Sequence, residues 1–405
     1  MKTSVCSIAL FLMGCTALAE PEAEKTHAPI KRAEASLPGA ADPAEVMYSI
    51  AVRYAASGEK REAIAWLRKV SEQHEGFDPS DDDYFKSLAG EPEFRQLVEE
   101  LHRTQPAIHR SELAFTIPEN DLIPEGIAYD AKEKAFYLGS LYKRKIVKVT
   151  PDGQTKEFKK PREDGLWQVL GMKVDGHGSL WVCSAAESEE PAVRGSSAVF
   201  HFDLSSGKLI KKYVLNGKQQ PHLFNDVALN VKGDVFVTDS KAGKISWIPH
   251  QRDALEEFAP ELKFNYPNGI ALSTDEKSLY VAQGNGGISL VDLDSKKARV
   301  LPRPVNSTLA GIDGLYLYKG TLVAIQNGIG TPRISRFFLN AAGDRVEKFE
   351  TIEYRNPDFD IPTTGTFADD KFYYIATSQL EKLDDDGNIR AGAELRPVLI
   401  MKTKL

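Results

Sequence analysis

The sequence predicts a mainly β protein: a six-bladed β-propeller with a small α-helical domain in front of it. The first observation is a repeated unit of three β-rich runs joined by polar turns. Its clearest copy has runs at 227–229 and 235–238, separated by a polar turn at 232–234. The unit recurs at intervals of roughly 45 residues, as propeller blades do. The six copies begin at Glu125, Leu170, Asn225, Asn268, Asp313 and Thr364.

A second observation concerns the sixth copy, whose third run at 398–401 leaves no room for a fourth strand before Leu405. A short β-rich run at 113–117 precedes the first copy and has no partner of its own. We expect this run to supply the outer strand of blade six and so to close a propeller of residues 112–405. Closure removes an exposed sheet edge.

The composition is that of a soluble globular protein, with 42% hydrophobic and 27% charged residues. The formal net charge is −7, and no strand carries a basic face. These two features argue against nucleic acid as a partner. A small molecule or a cation suits an anionic protein better.

The N-terminus has the features of an export signal over residues 1–19. Lys2 precedes an apolar core at 8–13, and Ala17 and Ala19 form a small-residue cleavage site. The alternative is a lipoprotein signal in which Cys15 becomes the lipidated first residue. The apolar run is much shorter than the roughly 20 residues that span a bilayer. We therefore expect a periplasmic or secreted protein, held at a membrane only if Cys15 carries a lipid.

Residues 20–41 are rich in Glu, Ala, Pro and Lys, a composition that we interpret as a flexible linker. A helical domain is predicted at 42–104, where Asp42 can cap a helix that ends near Gly58. A second helix is predicted at 60–73, and the pair resembles a tetratricopeptide hairpin. This domain either packs on the propeller as a cap or binds a protein partner.

The first strand of each blade lines the propeller axis, so the six first residues converge at one end of the channel, here called the mouth. Carboxylate and amide oxygens dominate this set, and Asp226 stands beside Asn225. Such groups repel one another or stay unsatisfied without a cation. Oxygen ligands without His or Cys favour a hard cation such as Ca²⁺, with Zn²⁺, Mn²⁺ or Mg²⁺ as alternatives.

Glycine follows the first residue in five of the six copies, which allows the inner strands to approach closely. Asp226 takes this place in the third copy. We therefore consider Asp226 a candidate ligand or catalytic base.

The second strand of each blade runs back to the mouth and delivers further polar side chains there. They can contact a substrate, with Ser184, Gln283 and Asn327 as candidates, or they can satisfy turn backbones. The full set is Ser140, Ser184, Asp239, Ser240, Gln283, Asn327 and Ser378.

Four motifs at blade spacing make residues 112–405 resemble the senescence-marker-protein/gluconolactonase family, and more distantly the paraoxonases and diisopropyl fluorophosphatase. The resemblance implies a catalytic divalent metal held by Glu125, Asn268 and Asp313, with Asn225 close to metal and substrate. It also implies hydrolysis of lactones or related esters. The motifs are Pro124-Glu125-Gly126, Phe224-Asn225-Asp226, Pro267-Asn268-Gly269-Ile270-Ala271 and Ile312-Asp313-Gly314-Leu315.

The chain departs from sugar-lactone members of the family at Leu223, where they carry an Arg two residues before the first Asn. The neighbouring His222 either replaces that Arg as a hydrogen-bond donor, acts as a base as in paraoxonase-like sites, or is a bystander. Sugar specificity is not implied.

The expected chemistry is metal-dependent opening of a lactone. The cation would polarise the carbonyl, and Asp313 or Asp226 would deprotonate the attacking water. One alternative is a non-catalytic propeller with a structural metal, which binds a ligand at its mouth or a protein partner through the helical domain. Another is a substrate outside the ester class, such as a phosphotriester or a condensation partner.

Overall fold

The computed structural model describes residues 22–405, with side chains from residue 27 onward. The predicted export signal at 1–19 and the alternative lipidation of Cys15 lie outside the described residues. Within the described part of the chain, no helix has the length and apolar character needed to cross a membrane.

A helical domain precedes the sheets. Asp42 caps the second helix: its Oδ1 accepts a hydrogen bond of 3.1 Å from the Glu45 backbone N–H, and Pro43 occupies the first helical turn. The second and third helices pack through small and branched side chains such as Ala51, Ala63 and Leu67. The α-helices are α1 Glu22–Ser36, α2 Pro43–Ala56, α3 Lys60–Ser71 and α4 Pro92–Thr104, with 3₁₀ helices at Leu37–Gly39 and Asp83–Leu88.

The flexible linker predicted at 20–41 is not what the structure shows, because α1 occupies Glu22–Ser36. Ala, Glu and Lys are strong helix formers, so the composition that we interpreted as a tether also favours a helix. Ile30 is buried, and His27 hydrogen-bonds Glu59 at 3.2 Å. Likeness to a tetratricopeptide repeat stays a prediction.

Six four-stranded antiparallel sheets follow and confirm the predicted six-bladed β-propeller. In each of blades one to five the strands run in chain order from the axis outward. Their strands are β2 Pro124–Asp130, β3 Ala135–Ser140, β4 Ile146–Val149 and β5 Thr155–Lys159; β6 Gln168–Val174, β7 Ser179–Ala185, β8 Ser197–Asp203 and β9 Leu209–Leu215; β10 Phe224–Leu229, β11 Val235–Asp239, β12 Lys244–Ile248 and β13 Glu256–Phe258; β14 Pro267–Leu272, β15 Ser278–Gln283, β16 Ile288–Asp292 and β17 Ala298–Val300; β18 Ile312–Tyr318, β19 Thr321–Gln326, β20 Arg333–Leu339 and β21 Val346–Tyr354.

Blade six combines strands from both ends of the propeller sequence. Its inner strands are β22 Gly365–Ala368, β23 Lys371–Ile375 and β24 Val398–Lys404, and β1 Glu112–Ile117 lies outermost. β1 pairs antiparallel with β24, with Phe115 opposite Ile400 and Ile117 opposite Val398. The ring is therefore held shut by main-chain hydrogen bonds between its two ends, and the third strand of blade six is not left as an exposed edge.

Candidate active site

The first residues of the inner strands owe their orientation to an irregularity that five blades share. Pairing between first and second strands skips two residues at each mouth: in blade one it jumps from Pro124 to Ile127, and in blade five from Ile312 to Leu315. The skipped pair contains the axial residue and the residue after it. A β-bulge of this kind re-aims side chains and is common beside active sites.

Glycine after the axial residue is needed because neighbouring inner strands approach very closely there. A Cβ atom on Gly126 would lie 2.0 Å from the Leu170 carbonyl oxygen, and one on Gly269 would lie 2.4 Å from the Asp313 carbonyl oxygen. The close approach inferred from sequence is thus confirmed. Packed this tightly, the bulges bring polar groups from all blades to one opening.

Three of the converging side chains are buried carboxylates, Glu125, Asp226 and Asp313, each about 6–7% exposed. Burial, followed by the charges of Asp313 and Asp226, raises the pKa of Glu125 well above its usual range. Burial also raises the pKa of Asp226 to about 6. The mouth therefore holds acids that compete for protons near neutral pH.

Asp313 is the carboxylate of this group that is bound by amide side chains. The Asn327 side-chain N–H donates to its Oδ2 at 2.7 Å, and the Asn268 amide lies within hydrogen-bonding range. Burial raises the pKa of Asp313 to about 7, although the two amides act to lower it. A carboxylate that is oriented by amides and titrates near neutrality can accept a proton from water.

Glu125 provides the test of whether a cation fits. Its Oε2 atom is buried without a hydrogen-bond partner, which is costly for a carboxylate. A divalent cation shared with Asp313 and the amide oxygens of Asn225 and Asn268 would satisfy it. Within residues 27–405, no three His, Cys, Asp or Glu side chains are placed so that they alone could hold a metal ion. The predicted ligand set depends on its two amides and stays a prediction.

The side-chain amide of Asn225 is oriented by a hydrogen bond from its nitrogen. Its side-chain N–H donates to the Ser240 hydroxyl at 3.1 Å, and that hydroxyl donates to the Pro267 carbonyl at 2.6 Å. The amide nitrogen is therefore bound to Ser240, which itself bonds to blade four, and the amide oxygen is not used by this pair of hydrogen bonds. The rotation of the side chain is fixed before any ligand binds.

His222 is held by Asp239 in an arrangement that the sequence did not reveal. The His222 Nδ1 and Asp239 Oδ2 atoms are 2.6 Å apart, and the histidine side chain is 16% exposed. Asp239 also accepts hydrogen bonds from the backbone N–H groups of Leu223 and Ala242, at 2.9 and 3.2 Å. The carboxylate thus satisfies a turn and orients the imidazole, whose Nε2 is left for another partner.

The part of the chain that contains this site is similar to a known protein family. Residues 123–317 match the family model described as "SMP-30/Gluconolactonase/LRE-like region". This part of the chain is similar to that family and is called the gluconolactonase-like region. The resemblance predicted from its motifs is therefore confirmed.

Curated relatives of the gluconolactonase-like region include Lactonase drp35 of Staphylococcus aureus strain USA300. It is 24% identical over 189 residues, which cover 44% of this chain and 55% of the relative. The same lactonase from strain MRSA252 is 23% identical over the same length. The chain thus spans about half the length of the curated relatives it matches.

Solved structures similar to the chain include a gluconolactonase and a calcium-binding protein. A gluconolactonase from Xanthomonas campestris is 16% identical, with a TM-score of 0.49 over 74% of this chain and 97% of that chain. Regucalcin, a calcium-binding protein from Agrobacterium tumefaciens strain C58, is 15% identical, with a TM-score of 0.48 over 72% and 93%. At TM-scores under 0.5 these likenesses carry no functional inference.

Two of the predicted substrate-contacting residues, Ser184 and Gln283, bond to neighbouring parts of the chain, and their contact with a substrate stays a prediction. Ser184 is fully buried, and its hydroxyl accepts a hydrogen bond of 3.0 Å from the Trp167 backbone N–H. The Gln283 amide accepts from the Asn265 backbone N–H at 2.8 Å and donates to Ser289 at 2.9 Å. Both side chains hold loops in place. Asn327, by contrast, reaches the axial group through Asp313.

Lys173 and Tyr316 line the channel just inside the mouth, and we did not single them out from sequence. The Lys173 ammonium lies 5.4 Å from the centre of the Tyr316 ring, and the Tyr316 hydroxyl accepts a hydrogen bond from the Gly365 backbone N–H at 2.7 Å. Burial lowers the pKa of Lys173, against the opposing charge of Asp226. The sequence signal was available, because other copies carry Ala or an aromatic residue where blade two carries this lysine.

Backbone strain also gathers at the mouth. Ile123 and Tyr266, each two residues before an axial residue, have φ angles of 43° and 49°. A β-branched residue at positive φ is an outlier, and such outliers cluster at functional sites. Gly311 takes the same place before Asp313 with φ of 61°.

The opening is bordered by apolar side chains. One cluster contains the axial Leu170 together with residues of the connections at the mouth end of blades one, three and six. Leu223, where sugar-lactone relatives of the resembled family carry an Arg, belongs to this cluster. The other members at the mouth are Leu141, Leu380 and Leu383, with the partly buried Tyr266 and Ile361 against them.

Proposed function

We propose that the protein hydrolyses lactones or related esters at the mouth of its propeller. The observation that carries the proposal is the convergence of three buried carboxylates, one with an unpaired oxygen, on bulged inner strands. The gluconolactonase-like region at 123–317 and the lactonase relatives support the same reaction class.

Glu125, Asn225, Asn268 and Asp313 would hold the divalent cation, for which an oxygen-only set favours Ca²⁺ over Zn²⁺, Mn²⁺ or Mg²⁺. When bound there, a cation supplies Lewis-acid polarisation of the ester carbonyl and compensates the charge that develops on its oxygen. The rest of the site consists of this chain's own side chains.

Asp313 is the proposed base, because the Asn327 amide fixes the orientation of its carboxylate at the proposed cation site. Asp313 accepts a proton from the attacking water, whose oxygen bonds to the acyl carbon. The bond between the acyl carbon and the ring oxygen then breaks, and the ring oxygen takes up that proton to give a hydroxy acid. Asp226, with a pKa of about 6, is the alternative base. His222, oriented by Asp239, faces the substrate as donor or base.

The apolar border around the mouth suits a lactone with an alkyl or aryl body. Leu223 removes the charged donor that a polyhydroxylated ring would use, and Leu141, Leu170 and Leu380 add apolar surface. We therefore propose that the substrate is more apolar than a sugar lactone. Export to the periplasm or outside the cell, with or without a lipid on Cys15, belongs to the same proposal.

The test is proton release by the purified mature protein on aliphatic, aromatic and sugar lactones, with Ca²⁺ and again after chelation. We expect chelator-sensitive hydrolysis that Asp313→Asn lowers by about 100-fold or more, because it removes both a base and a ligand charge. Asp130→Asn is the matched control, since Asp130 lies at the far end of β2 and caps the Lys132 backbone N–H at 2.9 Å. Silence on every lactone, with Ca²⁺ still raising Tm, would instead indicate a propeller that binds a ligand without turnover.

A further inference from the structure

The helical domain packs on the mouth end of the propeller. Strands in a blade alternate in direction, so the connection from second to third strand and the connection to the next blade both lie at that end. In blade four, the Gly286 backbone N–H donates to Glu45 at 2.8 Å, and Thr308 hydrogen-bonds Asp42. In blade five, Ile329 lies in the apolar core of the helical domain. The helices therefore border the opening on the side of blades four and five.

Asp78 of the helical domain clamps the 327–332 connection of blade five. Its backbone N–H donates to the Ile329 carbonyl at 3.3 Å, and its carbonyl accepts from the Thr331 N–H at 2.9 Å. Gly330 between them has φ of 84°, and a Cβ there would lie 1.9 Å from the Asp78 carbonyl oxygen. No side chain fits at this contact.

Asp78 is itself fixed to the propeller. Its carboxylate is fully buried and accepts hydrogen bonds from the Tyr354 hydroxyl at 2.7 Å and from Arg355 Nη2 at 2.6 Å. Burial alone would raise the pKa of Asp78, but these two partners outweigh it and lower the pKa. The clamp is therefore anchored by an ionised group with a matched partner.

The same connection carries the group that orients the proposed base. Asn327 begins it, and the Asn327 backbone N–H donates to the Gly311 carbonyl at 3.0 Å. Its side-chain N–H donates to Asp313 Oδ2 at 2.7 Å and to the Pro362 carbonyl at 3.0 Å. Only Gly328 separates Asn327 from Ile329, which is fully buried against the helices. A shift of the clamped segment would move the Asn327 amide with it.

We propose that the helical domain is a positioning device for the catalytic centre, acting from Asp78 through the 327–332 connection and Asn327 onto Asp313. The proposal rests on the function proposed above, since it assigns Asp313 the central role. Active-site geometry is sensitive at this scale, because a misplacement of about 1 Å can cost on the order of 100-fold in rate. Asp78 and Gly330 are thus positioning residues rather than catalytic ones.

The experiment compares Gly330→Ala with Gly320→Ala in the full mature chain. Both glycines lie in blade five at positive φ, 84° and 75°, so alanine strains the backbone at both positions. Only Gly330 meets the helical domain; a Cβ on Gly320 has nothing within 4 Å. Ile329→Val, which removes one methyl group from the same contact, is a milder second variant in case Gly330→Ala does not fold.

Three readouts are measured on the folded variants. We expect Gly330→Ala to lower kcat/KM for a lactone by about 10-fold or more, mainly through kcat, and to weaken Ca²⁺ binding by about 10-fold in calorimetry. Hydrogen exchange should rise in peptides covering 309–316 and 362–365, which Asn327 holds. Gly320→Ala should leave all three unchanged, and Ile329→Val should change them in the same direction by less.

Hydrogen exchange separates this proposal from the proposed function, since it requires neither substrate nor metal. Faster exchange at 309–316 in Gly330→Ala, with no lactone hydrolysed by the wild type, would retain the positioning link and reject the reaction. Faster exchange confined to 327–332, with kcat/KM and Ca²⁺ affinity unchanged, would overturn the link and reduce the helical domain to a packed cap.

Discussion

At the scale of single residues, Lys173 gives the site a built-in positive charge. The corresponding residue of the inner strand is Ala128, Ala228 or Ala271 in three other blades. A basic side chain at this position is therefore specific to blade two. Its charge opposes protonation of Asp226, whose pKa burial raises to about 6. Lys173 therefore helps to keep a buried acid ionised at neutral pH.

We predict that Lys173→Met moves the acidic limb of the activity profile to higher pH. Without the ammonium, the pKa of Asp226 rises above 6. At pH 6.5 a larger fraction of Asp226 is therefore protonated in the variant than in the wild type, whereas at pH 9 Asp226 is ionised in both. Activity should fall several-fold at pH 6.5 and little at pH 9, as measured by kcat against pH. Lys173→Arg keeps the charge and should retain the profile; an equal loss at every pH would indicate a packing defect instead.

The residues whose position at the mouth could be predicted from the sequence are those set by strand period. Glu125 and Asp313 could be placed at the mouth because each begins an inner strand, and a bulge repeats in both blades. The spacing of the repeats does not determine the direction in which a side chain points at the end of a strand. For that reason Ser184 and Gln283 were assigned to the substrate, although both hold loops, and the contact between His222 and Asp239 was missed.

At the scale of elements, strands were more predictable than the helical segment before them. Alternating apolar residues fix each strand in its blade, and β24 ends a sheet of three strands that β1 completes to four. The composition of α1 is compatible with a flexible linker and with a helix, and we predicted the linker. Packing of α1 against α2 favours the helix. How the helices sit on blades four and five depends on side-chain pairs far apart in sequence, which one sequence does not reveal.

The contact between the helical domain and blades four and five contains more acids than bases. Glu75 and Asp42 lie within hydrogen-bonding range of each other, and Arg303 binds both, with Nη1 3.0 Å from Glu75 Oε1 and Nη2 3.4 Å from Asp42 Oδ1. Glu75 Oε2 is buried without a donor. Glu45 adds a third acid, whose pKa burial raises well above its usual range, and Arg333 adds a second base. Burial first, and Asp42 second, raise the pKa of Glu75 to about 7.

We predict that Glu75→Gln stabilises the protein at pH 8 and not at pH 5. The folded pKa of Glu75 exceeds its ordinary 4.5, so the free energy of unfolding falls as pH rises from about 4.5 to 7. Glutamine keeps an acceptor for Arg303 and gives Asp42 a donor, which contributes at most about 2 kcal/mol. Urea unfolding at both pH values measures this; an equal change at pH 5 and pH 8 would contradict it.

At the scale of the whole molecule, ring closure assembles the mouth. Glu125, Asp226 and Asp313 come from blades one, three and five, and they approach one another only when all six blades are in place. Any cation bound between them is a ligand of the folded ring and not of the unfolded chain. Its binding must therefore stabilise the fold, by about 2.7 kcal/mol when the free ion is at 100 times its Kd.

We predict that this stabilisation grows with pH. The pKa values of Asp226 and Asp313 are raised from 3.8 to about 6 and about 7. The metal-free protein should therefore lose stability as pH rises from about 4 to 7, and protons should compete with the cation for the carboxylates up to about pH 6. The difference in Tm between Ca²⁺ and chelator, measured by calorimetry, should be large at pH 8 and small at pH 5. Asp313→Asn should abolish it, whereas the same difference at both pH values would place the ion away from these carboxylates.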